Sequence, residues 1–172
     1  MQSSLQTKLA VFVIIGTVLS SAYFIYYWYQ SYQYVEQLMP LYRSLELLGR
    51  DEDRLIAGEQ NPEELLRETD RIARSAEELK ALCQEIPLTN NRSGKVNETF
   101  VGTTDRLLAW NQSTKAFLQA QAQYLTEKNL QSPQAPAAQK LAEAKQLEST
   151  RAGEEYRKIM KTQLSRILGV TR

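Results

Sequence analysis

With 172 residues, 21 basic against 20 acidic side chains, no histidine and one cysteine, the chain excludes a good deal of chemistry at the outset. Histidine-based nucleophile pairs, imidazole metal ligands and a switch titrating near neutral pH are out of reach, as are an intrachain disulfide and every cysteine-based zinc or iron–sulfur set. A net charge of +1 lacks the basic excess of a dedicated nucleic-acid binder.

No charge occurs between Lys8 and Glu36, and Leu9–Tyr29 reads as a nearly continuous apolar run. About 20 such residues span hydrocarbon as a helix. Its far end carries Tyr23, Phe24, Tyr26, Tyr27, Trp28 and Tyr29, amphipathic rings that collect at headgroup level as an aromatic belt. The division expected is a short N-terminus over 1–8, an anchor over 9–31 and a body over 32–172. A cleaved secretory signal is the rival, with Ser20 and Ala22 at the cleavage positions. The apolar run continues past that site into the belt, so a retained anchor is preferred. Lys8 and the amino terminus lie close to the span on one side, whereas Arg43 and Arg50 begin well beyond it on the other. The positive-inside rule then puts the N-terminus in the cytoplasm and the body outside it, in the periplasm if the cell is bacterial.

Beyond the belt the pattern is helical almost throughout, and no run alternates with period two. The first segment, about 32–56, has the seam Tyr34, Leu38, Leu41, Leu45, Leu48 and Leu55, interrupted by Glu52. Pro40 predicts a kink or break, and Gly49 weakens the distal end. The second, about 62–86, opens on Asn61, Pro62 and Glu64, a capping box with proline at the first helical position. Its seam (Leu65, Thr69, Ile72, Ala76, Leu79, Cys83, Ile86) steps by fours and threes until Pro87. Cys83 falls on that seam, where a free cysteine behaves as a small hydrophobe.

A loop is expected over 88–94. The third segment, about 97–130, repeats Trp110, Phe117 and Tyr124 every seven residues, with Asn111 and Gln121 on nearly the same seam. That ladder is a core stripe first. The rings could instead line a ligand pocket, with Arg106 or Arg74 receiving a carboxylate, and the polar members could face a partner chain or water. Ser132–Pro136 breaks the helix, and a fourth segment follows over about 137–168. Short connections make these neighbours antiparallel, so the expected fold is all-α: a single membrane helix continuing into an up-down four-helix bundle. Uneven segment lengths leave room for a partly extended hairpin.

Charge is unevenly shared along such a bundle. Asp51–Asp70 is acidic, whereas Arg151–Arg172 holds six basic residues and two acids. The latter would form a basic foot in which Lys158, Lys161 and Arg166 attract anionic lipid, or merely offset a helix dipole. Adjacent carboxylates such as Glu63/Glu64 diverge on a helix and make no dyad. No phosphate loop, metal set or cofactor motif occurs, so neither cofactor nor catalytic residue is expected.

The function expected is therefore non-catalytic: a bitopic protein whose helical body joins protein partners, or copies of itself, in a membrane-associated envelope assembly. The alternative is a bundle that senses a small ligand between its helices. One span leading into four helices resembles the sensor region of bacterial chemoreceptors, although no second span or signalling domain is found in these residues. That resemblance implies ligand sensing outside the cytoplasm.

Overall fold

The computed structural model describes the backbone of residues 2–57 and 62–169 and the side chains of 12–57 and 64–169. Every element among them is helical. In chain order these are α1 (Gln2–Ala57), α2 (Pro62–Glu85), α3 (Asn91–Asn129), α4 (Ala135–Ile159), a π turn (Met160–Leu164) and α5 (Ser165–Leu168). The last three run on as one rod.

The expected break at Pro40 does not occur, and α1 stays helical from the apolar run to Ala57. Pro40 and Glu36 both face solvent, so water can take the carbonyl that loses its donor. α2 matches its seam closely, although the capping residue Asn61 lies outside the described residues. α3 starts at Asn91 rather than Asn97, which turns most of the expected 88–94 loop into helix. The cause is a capping box. The Asn90 side chain accepts from the amides of Arg92 (3.0 Å) and Ser93 (2.9 Å), and Ser93 Oγ accepts from the Asn90 amide at 3.0 Å. Asn90→Ala should destabilise the body by about 0.5–2 kcal/mol. Hydrogen exchange at the Val96 and Phe100 amides should accelerate before the rest of α3 is affected, and unchanged exchange there would refute this cap.

Two long-range bonds set the register of the bundle. Asn90 Nδ2 donates to Ser31 Oγ at 3.0 Å, and Asn111 Nδ2 donates to Glu52 Oε2 at 2.8 Å. Both join α1 to α3 across the same sequence separation of 59. The two helices therefore run parallel in step for about 30 Å, at 1.5 Å per residue. α2 returns between them, tied to α3 by Asn97 Nδ2 to the Cys83 carbonyl (2.9 Å) and by Lys115 to Asp70 (2.6 Å). Leu38, Leu45, Ile72, Phe100, Leu107, Leu118 and Leu164 fill the interior, each contributing roughly 1.5–3 kcal/mol relative to exposure.

By the same register Ala57 lies level with about residue 116 of α3. The rest of α3 and the first half of α4 therefore project some 20 Å beyond the end of α1. Small residues close this two-helix hairpin, with Ala120, Ala138 and Ala142 buried between its helices. The uneven segment lengths are accommodated by a hairpin standing clear of the bundle.

One long apolar helix is a candidate membrane span. Its most apolar window has a mean hydropathy of 1.4 and none of it is buried against the rest of the chain.

Candidate functional site

The aromatic ladder divides at the point where the bundle ends. Trp110 is fully buried, its ring 5.6 Å from that of Tyr156. It lies directly on Gly153, where an added Cβ would come within 2.7 Å of the indole. On the facing side Tyr156 fits over Gly49 in the same way, at 2.6 Å, and donates to the Leu45 carbonyl at 2.8 Å. Both glycines, which weaken a helix when seen in sequence, are notches that receive an aromatic ring. Burial pushes the Tyr156 phenol above its ordinary pKa. Trp110 Nε1 is buried without a hydrogen-bond partner.

Asn111 is enclosed beside the ladder. It bridges Glu52 and the Thr69 carbonyl (3.0 Å), one residue from α1 and one from α2. This is an internal bond, so Asn111 does not face a partner chain or open a pocket, as sequence reading allowed. One turn on, Thr114 Oγ1 and Ser149 Oγ share a buried hydrogen bond of 2.9 Å between α3 and α4. Glu52 is 0% exposed, and its Oε1 has no partner. Desolvation raises its pKa above the usual carboxylate value, against which the Asn111 and Thr114 side chains pull it down. A carboxyl read as an interruption of the α1 seam is thus the centre of a polar layer. Its signal was the matching polar positions Thr69, Asn111 and Thr114 on the neighbouring seams.

The upper ladder behaves differently. Phe117 is buried, while Gln121 and Tyr124 are only half-buried on the projecting hairpin. Around them Leu125, Leu130, Leu141 and Leu147 are exposed, Leu130 by 72%. The arginines considered for a ligand carboxylate are engaged elsewhere on the surface. Arg106 pairs with Glu155 at 2.9 Å, and Arg74 donates to the Asp70 carbonyl at 3.3 Å.

A groove of about 670 Å³ separates α1 from α4 and the π turn. These helices meet through long side chains: Arg157 pairs with Asp53 (2.6 Å), and Tyr42 Oη lies 3.0 Å from Ser165 Oγ. Ser165 also donates to the Met160 carbonyl at 2.7 Å, so the wide turn aims its hydroxyl at α1. Lys161 and Arg166 line the groove; Lys158 is exposed outside it. The antiparallel pairings of α4 with α1 place Lys158 level with about residue 47. That is some 24 Å along α1 from Ser31, well past the Debye length of about 8 Å at physiological salt. Of the three cations expected in a basic foot, Arg166 lies nearest the span; Arg172 is outside the described residues.

At the other end of the body, Tyr23, Phe24, Tyr26, Trp28 and Tyr29 of the belt are exposed and Tyr27 is half-buried. The α2–α3 corner meets the belt at Trp28, with the Arg92 guanidinium 4.9 Å from its ring centre. Just above, Tyr34 packs beside Cys83 and Asn97. Burial lifts the Tyr34 phenol to about 12 and the Cys83 thiol to about 11, which keeps this cysteine an inert thiol at neutral pH. Among the described residues no three acids or cysteines cluster as metal ligands. No family model, curated relative or solved structure matches the chain.

Proposed function

We propose that this chain is a non-catalytic, single-span membrane protein whose helical body docks a protein partner in a membrane-associated envelope assembly. The observation that carries this reading is the projecting hairpin. It holds Leu125, Leu130 and Leu141 exposed beyond the bundle and Leu147 exposed at its base, and apolar side chains left in water on a projecting element suit an interaction site. The orientation proposed is cytoplasmic for the N-terminus and extracytoplasmic for the body, periplasmic in a bacterium. It follows from charges counted along the unfolded chain, before folding brings Arg92 beside the span.

Photo-crosslinkers at Leu141 and Leu147 in native membranes, with Glu78 on the outer face of α2 as control, test the reading. Discrete adducts are expected from the hairpin and not from α2, and Leu141→Glu with Leu147→Glu should abolish them. Equal labelling from both places, or none from the hairpin, would refute the docking role. The groove beside Tyr42 and Tyr156 favours a second reading, ligand sensing, because its volume falls in the range of small-molecule sites. Saturable protection of the groove from labelling by a small anion would support that reading instead.

A further inference from the structure

Arg92 and Lys95 stand one helical turn apart at the start of α3, and neither has an acidic partner within 4.0 Å among the described residues. Other described cations without such a pair lie elsewhere on the surface; these two are set apart by their place at the N-terminal end of α3 beside Trp28. The first turn of α3 contains no acid. Two cations at the positive end of a helix dipole repel it, so their placement is unfavourable unless an anion lies close by. The helix end is not itself the site, because Asn90 already occupies its first amides.

What surrounds the pair indicates the source of that anion. Arg92 lies over Trp28 of the aromatic belt, the depth at which lipid headgroups sit. The ring takes one face of the guanidinium and leaves its edge N–H groups free for the bidentate pairing that suits phosphate. Leu88, within the corner itself, is 59% exposed and offers an apolar contact. Asn90 pins the whole corner to Ser31, immediately after the belt.

We propose that Arg92 and Lys95, held beside Trp28 at the base of the body, bind the phosphate of an anionic membrane lipid. The proposal rests on reading residues 9–31 as a membrane span. The bound headgroup neutralises the α3 N-terminal cations and fastens the α2–α3 corner to the bilayer surface. This places the lipid contact at the corner rather than along Lys158 and Lys161.

The test uses the full chain in phosphatidylcholine nanodiscs titrated with phosphatidylglycerol, with retained phosphatidylglycerol read by native mass spectrometry. Arg92→Gln with Lys95→Gln should raise the half-saturating phosphatidylglycerol fraction about thirtyfold, roughly fivefold per cation. Arg92→Lys should restore part of the loss, and Lys158→Gln with Lys161→Gln should change nothing. Circular dichroism confirms that each variant stays helical. An unchanged half-saturating fraction in the Arg92/Lys95 variant, or an equal effect from the Lys158/Lys161 pair, overturns the site while leaving the anchor intact. Displacement of the lipid by millimolar inorganic phosphate would identify a soluble anion as the ligand and equally overturn it. A chain that washes off bilayers at alkaline pH overturns the anchor and this site together.

Discussion

Trp110→Ala is expected to lose about 3–5 kcal/mol of stability, the range for truncating a fully buried large aromatic residue. Domains of this size hold only about 5–15 kcal/mol in total, so the variant should sit close to unfolding. Urea denaturation of the full chain in mild detergent, followed by far-ultraviolet circular dichroism, measures it. The paired change is more diagnostic. Gly153→Ala forces a Cβ to within 2.7 Å of the indole and should destabilise by about 1–3 kcal/mol through overpacking. In a Trp110→Leu background the obstruction is gone, and alanine should regain its helix preference of about 1 kcal/mol over glycine. The sign of one substitution therefore depends on the other. A Gly153→Ala change that stabilises the wild-type chain would mean that the ring does not lie on this glycine.

The second large effect concerns Glu52. Its pKa is raised in the folded state, chiefly because burial penalises the charged form. Between the ordinary carboxylate pKa and the raised one, the folded chain binds more protons than the unfolded chain. Stability must then fall as pH rises across that window, with a limiting slope of about 1.4 kcal/mol per pH unit. The stabilising contribution is fully present below the unfolded pKa and is lost once pH passes the folded one. Glu52→Gln keeps the acceptor for Asn111 while removing the titration. It should match the wild type at low pH and exceed its stability at neutral pH. Asn111→Leu should do the opposite of what a partner-facing residue would do. It strips the donor from Glu52 Oε2 and should cost about 1–3 kcal/mol for that acceptor left bare; the Thr69 carbonyl loses its second donor but stays within the α2 ladder. A Glu52→Gln chain whose stability follows pH in step with the wild type would sink the buried-carboxyl account.

Local signals in the sequence were sufficient for most of the helices. Pro62, Pro87 and Pro136 punctuate the chain near the helix ends, and the seam of α2 is buried at Leu65, Thr69, Ile72, Ala76, Leu79 and Cys83. Relations between distant segments were harder to read. Glu52 looks like a flaw in its own helix, and its role exists only because Asn111 arrives 59 residues later at the same height. Gly49 and Gly153 read as weak points because the rings that fill them lie on other helices. The start of α3 was hidden for a local reason: its capping box uses Asn90 and Ser93, with no apolar periodicity to announce it. The heights of the expected basic foot were also hidden, since counting charges near a C-terminus does not say that Lys158 stands farther up the bundle than Arg166.

α1 is one helix from the apolar segment to Ala57, and α3 is fastened beside it at both Ser31 and Glu52. Among the described residues α1 therefore has no break at which the body could lean. Set in a bilayer it is a rigid mast, and any inclination of the buried end is multiplied at the free end. From Asn90 to Leu130 the mast rises about 60 Å, so a 10° inclination sweeps the hairpin tip sideways by about 10 Å. Membrane helices incline over a range of roughly 0–40° as they adjust to hydrocarbon thickness. Bilayer thickness would thereby set how high and how far the hairpin can reach, making the lipid environment a ruler for whatever it touches.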